Sequence, residues 1–498
     1  MILAHTAEQV RAAEAPLLAA ERGFAGSLME RASFALAQRC AAWLRERRGR
    51  LRGARVVALV GSGNNGGDAL HALAVLARRG VRARAVLVGE RTHAGGLAAL
   101  LRAGGRAEPL RGDGWAWEAD LLLDALTGIG AQGALRGPAG ELVAALAASD
   151  PRGREGGPLV VAVDVPSGIG VDDGTVPGPV LRADRTVTFG AHKPGLWLAP
   201  AAHLAGEVEL VDIGLALDPA RAALRHLEPA DLAAAWPVPG PRDHKYTRGV
   251  VGVLAGSAAY PGAAVLCVEA AARAGAGMVR YLGPAAGAVL ARRPEAVARA
   301  GRVQAWVLGP GTTAEEAEAL RVRLAEARAE RLPVVLDAGA LAALPAEPLG
   351  PEVVLTPHAG ELAALLGARG VQVTREQVEG EPLRWARAAH EVTGATVLLK
   401  GAVTTVVGPG GVLAQSEAPA WLATAGAGDV LAGVLGTLLA ARSAELAEDL
   451  DLPARLAAVA ASACGLAARA ASAGGPLVAG DVAARVPAVV ASLLGGRA

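Results

Sequence analysis

The chain has 498 residues, of which 52% are hydrophobic and 19% are charged, and its formal net charge is +1. This length exceeds the ~100–200 residues of a usual single domain, so it predicts two separately packed domains with large buried cores. A near-neutral charge without a dense basic tract excludes a nucleic-acid-binding protein that relies on counterion release.

Composition also limits the compartment and the kind of partner. The three cysteines, Cys40, Cys267 and Cys464, are far apart and never form a CxxC pair, so neither a disulfide framework nor a zinc site is expected. The first nine residues lack the apolar core of a secretory signal, and glycine and proline interrupt the uncharged stretch 249–268. We therefore expect a cytoplasmic homo-oligomer that acts on small molecules, without nucleic acid or membrane as a partner.

The first half of the chain alternates short apolar runs with helical patterns. Val56–Val60 is typical of a buried strand, and a glycine-rich loop, Gly61–Gly67, leads from it into a helix. Further strands are predicted at Val86–Val88, Leu121–Ala125 and Leu159–Val163. Strands separated by helices imply right-handed crossovers and a mostly parallel sheet covered on both faces. The pattern predicts a three-layer α/β/α domain of the Rossmann-like kind.

The second half restarts the same pattern after a proline-rich stretch. Prolines between Trp236 and Pro241 resist both helix and central strand, and we place the boundary at residue 228, which gives domains 1–228 and 229–498. The strands predicted after it are Val250–Leu254, Ala305–Leu308, Val334–Asp337, Val353–Thr356 and Thr396–Lys400. With alanine-rich helices between them, they predict a second three-layer α/β/α domain.

Polar residues follow three strands of the first half. The segment Gly61–Asp68 lies where a strand meets a helix, so its N–H groups are expected to face an anionic phosphate. The same letters satisfy G-x-G-x-x-G with Glu90 after the next strand, so an ordinary Rossmann dinucleotide site and a structural turn remain alternatives. Asp124 and Asp164 end two other strands and would meet at one edge of the sheet, although either could be a simple helix cap.

The motifs NNGGD, Asp124–Gly130 and DVPSG, in this order, resemble those of the NAD(P)H-hydrate epimerase domain. Leu28–Arg31 and Lys193–Gly195 also resemble its pattern, and the likeness spans about residues 1–215. The resemblance implies that a hydrated nicotinamide dinucleotide is bound by Asn64, Asn65, Gly66, Gly67, Asp68, Gly128, Ile129, Gly130, Ala131, Gln132, Gly133, Ala134 and Asp164. Ala69 stands where the family usually has glycine, which does not touch the implied chemistry.

The resemblance also implies roles for four further side chains. Asn65, Asp124 and Ser167 would hold a potassium ion, and oxygen donors suit such a hard cation. Asp164 would be the catalytic acid/base next to the hydrated carbon of the nicotinamide ring. Lys193 is a candidate for a supporting charge.

In the second half, Thr424–Asp429 precedes the apolar run Val430–Leu439. Its small residues expose N–H groups at a helix start beside a carboxylate, which indicates an anion hole next to a base, with a plain helix cap as the alternative. Lys400–Thr404 follows a predicted strand and is a candidate for holding nucleotide phosphates. His358 lies in the sequence TPHAGE after another strand, although a lone histidine is more often structural.

Together with Lys245-Tyr246 and Tyr260–Ala263, these motifs resemble the ADP-dependent NAD(P)H-hydrate dehydratases, a ribokinase-like family, over about residues 235–495. The resemblance implies nucleotide binding by Lys400, Gly401, Ala402, Val403, Thr404 and Gly428, and binding of the hydrated dinucleotide by Ala263, Gly311, His358 and Asp429. Magnesium would accompany the nucleotide phosphates. Gly339 stands where the family often carries a second aspartate, which leaves the role of that position in metal or nucleotide binding in doubt.

The hypothesis from the sequence is a bifunctional repair enzyme. It would interconvert the R and S forms of hydrated NAD(P)H, and Asp429 would start ADP-dependent dehydration of the S form, giving AMP and phosphate. Two rivals remain: an ATP-dependent small-molecule kinase with an attached Rossmann-type dehydrogenase, and a first domain that is a scaffold without catalysis. The presence of Asn65, Asp124, Asp164 and Ser167 argues against the scaffold.

Overall fold

The computed structural model describes residues 1–89, 91–112, 116–149 and 157–495, so Glu90 of the alternative Rossmann interpretation lies outside the described residues. The chain divides into two compact units. One is Leu3–Ala223, and the other joins Met1–Ile2 to Leu224–Ala498. The sequence analysis placed the division slightly later, at residue 228. We refer to the two units as the N-terminal and C-terminal domains.

The elements before the division are as follows. The strands are β1 (Ile2–Ala4), β2 (Arg55–Val60), β3 (Arg82–Leu87), β4 (Arg106–Pro109), β5 (Leu121–Ala125), β6 (Leu159–Val163), β7 (Arg185–Phe189) and β8 (Glu207–Val211). The helices are α1 (Ala7–Ala20), α2 (Leu28–Arg48), α3 (Asn64–Arg78), α4 (Ala94–Arg102) and α5 (Gly137–Ala148). Within the described residues, seven strands form a parallel sheet in the order β4-β3-β2-β5-β6-β7-β8.

Both faces of this sheet are covered, because successive side chains of a strand point to opposite faces. Val56 and Ala58 of β2 belong to one core, which includes α2 and α3, whereas Val57 and Leu59 belong to another core, which includes α5. The predicted three-layer arrangement with a parallel sheet is therefore confirmed for this domain.

One local prediction in this domain was wrong. Helix α3 begins at Asn64, so the segment read as a loop as far as Gly67 is already helical. A Cβ on Gly66 would lie 2.3 Å from the carbonyl oxygen of Gly61, and one on Gly67 would lie 2.9 Å from the ring of His93. Close packing therefore requires glycine in the first turn, and this requirement overrides the low helix propensity on which the loop interpretation rested.

The elements after the division follow the same alternation. The strands are β9 (Leu224–His226), β10 (Val250–Leu254), β11 (Met278–Tyr281), β12 (Ala305–Leu308), β13 (Val334–Leu336), β14 (Val353–Leu355), β15 (Thr396–Leu399), β16 (Thr404–Gly408) and β17 (Gly411–Gln415). The helices are α6 (Pro229–Ala235), α7 (Pro261–Arg273), α8 (Ala286–Arg292), α9 (Ala317–Ala329), α10 (Ala359–Ala368), α11 (Arg375–Gly380), α12 (Pro382–Thr393), α13 (Ala427–Ala441), α14 (Leu452–Ser472) and α15 (Ala479–Gly495).

The second sheet has the order β1-β9-β17-β16-β15-β14-β13-β12-β10-β11. Strands β10 to β15 are parallel, and β16 and β17 form an antiparallel hairpin that the sequence analysis did not predict. The observed strands β13, β14 and β15 end one residue earlier than predicted. Asp337, Thr356 and Lys400 therefore lie just beyond the carboxyl ends of neighbouring parallel strands, where ligands bind in such sheets.

Helices α13 and α14 form the centre of the C-terminal core with alternate residues of the strands. Helix α14 is long and apolar enough to cross a membrane, but 67% of its most apolar window is buried inside the protein. Packing on several sides accounts for a helix that is apolar almost all round.

Candidate active sites

A cleft of ≈ 1620 Å³ opens at the carboxyl edge of the N-terminal sheet. Pockets for drug-sized ligands usually measure ~300–1,000 Å³, so this one has room for a larger molecule. Among the described residues, the predicted substrate ligands that line it are Asn64, Asn65, Asp68, Gly128, Ile129, Gly130, Ala131 and Asp164. Gly66 and Gly67 are buried residues of the first turn of α3 and do not line the cleft, and Gln132, Gly133 and Ala134 continue the loop beyond the cleft lining.

A buried ion pair lies at the inner end of the cleft. The Lys193 ammonium donates to Oδ1 of Asp164 at 2.5 Å, and also to the Thr188 hydroxyl and the Phe189 carbonyl, each at 2.9 Å. The Lys193 side chain is only 1% exposed. Asp164 has a φ of 68°, a left-handed conformation that costs free energy for a residue other than glycine and is frequent at functional sites. The fold therefore keeps this carboxylate both buried and in a strained backbone conformation.

The three predicted potassium ligands meet around the backbone of Thr127. The Asn65 amide donates to the Thr127 carbonyl at 2.8 Å, and the Thr127 N–H donates to the Ser167 hydroxyl at 3.0 Å. The Ser167 hydroxyl donates to Asp124 at 2.6 Å, and burial raises the pKa of the Asp124 carboxyl. Oδ1 of Asn65 is buried without a hydrogen-bond partner in the described structure. An oxygen left in that state fits a cation-binding position, because a buried acceptor without a partner is costly.

Two more carboxyl groups share the cleft with Asp164. Burial, together with the charge of Asp164, raises the pKa of both Asp68, near the start of α3, and Glu14, on α1. The sequence analysis named Asp68 but missed Glu14. No motif surrounds Glu14, and only the amphipathic pattern of α1 could have shown which residues face the sheet edge.

The C-terminal site is built around three neighbouring strand ends. Asp337, after β13, accepts hydrogen bonds from the Lys400 ammonium at 2.7 Å and from the Thr356 hydroxyl at 2.8 Å. Glu361 of α10 lies 3.6 Å from the same ammonium. Burial works to lower the pKa of Lys400, but Asp337 and Glu361 outweigh it and raise that pKa. The sequence analysis named Lys400 as a candidate, whereas Asp337 appeared there only as the last residue of the predicted strand Val334–Asp337.

The start of α13 faces these strand ends. Gly426 caps the helix with a φ of 89°, and Asp429 lies in its first turn. Burial, with Asp337 as the next contribution, raises the pKa of Asp429 to about 7. A Cβ on Gly428 would lie 3.2 Å from Nζ of Lys400, so the ammonium approaches the unpaired N–H groups at the helix start. The helix start and the Asp429 carboxylate therefore lie side by side, and their roles as an anion hole and a base stay predictions.

The remaining predicted residues of this domain differ in their surroundings. Gly311 has a φ of 64°, and a Cβ there would lie 2.3 Å from that of Ala263, so these two predicted substrate ligands are in close contact. His358 caps α10 in a reciprocal arrangement with Glu361, and its side chain is 58% exposed. In the predicted nucleotide loop, Gly401 and Ala402 are exposed, Val403 is buried, and Thr404 begins β16.

Gly339 is enclosed by the chain itself. A Cβ at this position would lie 2.4 Å from the Thr312 hydroxyl oxygen and 2.8 Å from the Thr312 carbonyl oxygen. The local packing therefore has no space for the aspartate that the resemblance led us to expect, and glycine at 339 is matched to Thr312.

Comparisons with known proteins cover both domains. Residues 25–195 match the family described as "YjeF-related protein N-terminus", and residues 251–479 match the family described as "NAD(P)H-hydrate dehydratase". A bifunctional NAD(P)H-hydrate repair enzyme from Mycobacterium tuberculosis (strain CDC 1551 / Oshkosh) is 47% identical over 449 residues, which covers 88% of this chain and 89% of the relative. The chain belongs to the family of bifunctional NAD(P)H-hydrate repair enzymes.

Other relatives of this repair-enzyme chain correspond to one domain each. An NAD(P)H-hydrate epimerase from Clavibacter sepedonicus is 46% identical over 230 residues, which covers 44% of this chain and 94% of the relative. The solved structure of an ADP/ATP-dependent NAD(P)H-hydrate dehydratase from Bacillus subtilis is 25% identical, covering 53% of this chain and 97% of its own, with a TM-score of 0.47. The family resemblance that the motifs indicated is confirmed for both domains of the repair enzyme.

Proposed function

We propose that this chain repairs hydrated NADH and NADPH in two steps. The N-terminal domain interconverts the R and S hydrates, and the C-terminal domain dehydrates the S form with ADP as co-substrate, giving NAD(P)H, AMP and phosphate. The observation that carries the proposal is that each domain places one carboxylate, Asp164 or Asp429, near a lysine ammonium at the carboxyl edge of its sheet. Two such sites suit two reactions on one substrate pool.

In the N-terminal cleft, Asp164 is the acid/base. Interconversion of the two hydrates needs a proton to be moved next to the carbon that loses and regains the hydroxyl group. Lys193 compensates the buried carboxylate and fixes its orientation through Oδ1. The N–H groups at the start of α3 would receive the phosphates of the dinucleotide.

The potassium ion of this proposal would be held by Asn65, Asp124 and Ser167. The support for it is the unpartnered Oδ1 of Asn65, together with the hydrogen bonds that join Asn65 to Ser167 and Asp124 through the backbone of Thr127. A bound cation would supply positive charge close to the phosphates, and the chain's own residues would hold the loop at Thr127 that lines the cleft.

In the C-terminal domain, Asp429 takes the proton of the ring hydroxyl. The hydroxyl oxygen attacks the terminal phosphorus of ADP, and the bond to AMP breaks. The new phosphate ester then leaves with the electrons of its bond to carbon, a proton is lost from the neighbouring carbon, and the dihydronicotinamide ring is restored. Lys400 and the N–H groups at the start of α13 stabilise the transferred group, and magnesium would arrive with the phosphates of ADP.

The test is recovery of NADH absorbance from a mixture of both hydrates in potassium buffer, with ADP, with ATP and without nucleotide. Complete recovery that depends on ADP supports both activities, whereas recovery of one epimer alone leaves only the dehydratase. Asp164→Asn should abolish epimerisation and spare dehydration, and Asp429→Asn should do the reverse. Phosphorylation of a stable alcohol by ATP, without NADH recovery, would favour the kinase alternative. The cytoplasmic location and the homo-oligomeric state remain predictions.

A further inference from the structure

Asp337 is a buried charge for which the proposed reaction has no role. Its side chain is 3% exposed, and its Oδ1 accepts hydrogen bonds from Lys400 and Thr356. Replacing a buried ion pair with apolar residues is often neutral or stabilising, so stability is a weak explanation for such a pair. A contribution to the neighbouring site is the stronger explanation.

The partner of Asp337 faces the place where a phosphoryl group would be transferred. A Cβ on Gly428 would lie 3.2 Å from Nζ of Lys400 and 3.7 Å from Oδ2 of Asp337. The first N–H groups of α13 have no acceptor within the helix, and the glycine leaves the space in front of them open. An anion in that space would touch both the ammonium and the helix start.

We propose that Asp337 is a positioning residue of the C-terminal site, whose buried carboxylate holds the Lys400 ammonium against the start of α13, where the transferred phosphoryl group is stabilised. The proposal rests on the proposed dehydratase function of this domain. Without the carboxylate, the Lys400 ammonium loses its 2.7 Å hydrogen bond and keeps only the weaker contact with Glu361 at 3.6 Å. Its direction is then less fixed, because a lysine ammonium is a point charge on a flexible four-carbon stem.

Removing this carboxylate also changes the proton affinity of the base. The groups that act on or near Asp429 are Asp337 after β13, Lys400 after β15, and the Cys267 thiol of α7. Asp337 raises the pKa of Asp429 and Lys400 lowers it. Loss of the Asp337 charge therefore lowers the pKa of Asp429, and the site becomes more positive towards the phosphates of ADP.

The decisive variant is Asp337→Asn in the full chain. The expected result is a fall in kcat for dehydration of about tenfold or more, the factor that ~1.4 kcal/mol of transition-state stabilisation represents. The dissociation constant of ADP, measured by calorimetry, should stay the same or decrease, and the acid limb of the rate profile should move to lower pH. Unchanged kcat with an unmoved limb would overturn the proposal, and so would loss of ADP binding together with kcat, which indicates structural damage.

Two further variants provide the controls. Glu361→Gln removes a charge of the same sign near Lys400, but Glu361 contributes less than Asp337 to the raised pKa of Asp429, so the acid limb should move less than in Asp337→Asn. Lys400→Met tests whether Asp337 acts through the ammonium. Adding Asp337→Asn to Lys400→Met should then lower kcat by less than about threefold, because residues that act as one unit are not additive. If the double variant lowers kcat by the full product of the two single-variant factors, the positioning role of Asp337 is refuted.

Failure of the proposed dehydratase function can be distinguished from failure of the positioning role of Asp337. If the wild-type chain binds ADP but restores no NADH absorbance, the proposed dehydratase function is refuted. The positioning role can then still be tested by observing the Lys400 ammonium directly. The NMR signal of the Lys400 ammonium should be sharp in the wild type and lost or broadened in Asp337→Asn. An ammonium signal that is the same in both proteins would contradict the positioning role, whatever the activity.

Discussion

Replacing Lys193 with methionine should destabilise the N-terminal domain strongly. The substitution keeps an unbranched side chain of similar size but leaves the Asp164 carboxylate, whose side chain is 11% exposed, without its cation. The Thr188 hydroxyl and the Phe189 carbonyl lose a donor at the same time. Breaking a buried ion pair by removing one partner costs ~3–5 kcal/mol, a large part of the ~5–15 kcal/mol that stabilises a typical domain.

The effect can be measured on the full chain by hydrogen exchange in increasing urea, read separately for peptides of β6 and of α13. With a urea dependence of ~1–3 kcal/mol per molar, the midpoint of the β6 peptides should fall by more than about 1 M, while that of the α13 peptides stays in place. The double variant with Asp164→Asn should recover part of the loss, because it removes the unpaired charge. A β6 midpoint within about 0.3 M of the wild type would refute the reasoning that the pair is electrostatically isolated from water.

Three other predictions concern the two sites. Because the pKa of Asp429 is raised to about 7, its ionised form is lost as the pH falls through that value. The kcat/KM for dehydration should therefore drop about tenfold per pH unit below ~6 and level off above ~8. A flat profile from pH 5.5 to 8.5 would contradict the role of Asp429 as the base. Exchange of potassium for tetramethylammonium should lower the epimerisation rate, and Asn65→Leu should make the rate independent of the cation, so a persistent potassium response in that variant would argue for another site. Gly339→Asp should lower the stability of the C-terminal domain by ~1–3 kcal/mol in urea unfolding, because its Cβ would meet Thr312, and an unchanged midpoint would show that the loop adapts.

The sequence predicted most of the central strands because they are fully buried. Runs such as Val250–Leu254 and Ala305–Leu308 contain no polar or charged side chain, and the structure has strands with these same bounds. The hairpin of β16 and β17 escaped prediction. Its strand starts at Thr404, which we interpreted as part of a nucleotide loop, and the glycines at its turn gave the same signal as loop chemistry.

Whether a candidate site residue could be predicted depended on how far its partners lie from it in the sequence. Asp164 and Asp429 were identifiable because each lies in a short motif at a strand end or helix start. Glu14 and Asp337 were not, because each gains its importance from charges that are distant in the sequence. The helical start of α3 could not be predicted for the same reason, because its first-turn glycines are needed for packing against Gly61 and His93.

Helix α14 has a consequence for synthesis of the chain. Its residues, Leu452–Ser472, have the length and hydropathy of a membrane-spanning segment, and in the unfolded chain they would be open to any factor that binds apolar segments. In the folded domain, this surface is covered by residues of β15, β16 and α13, which precede it in the chain, and by α15, which follows it. Since translation delivers α15 after α14, the apolar surface of α14 is fully covered only once α15 has also been made.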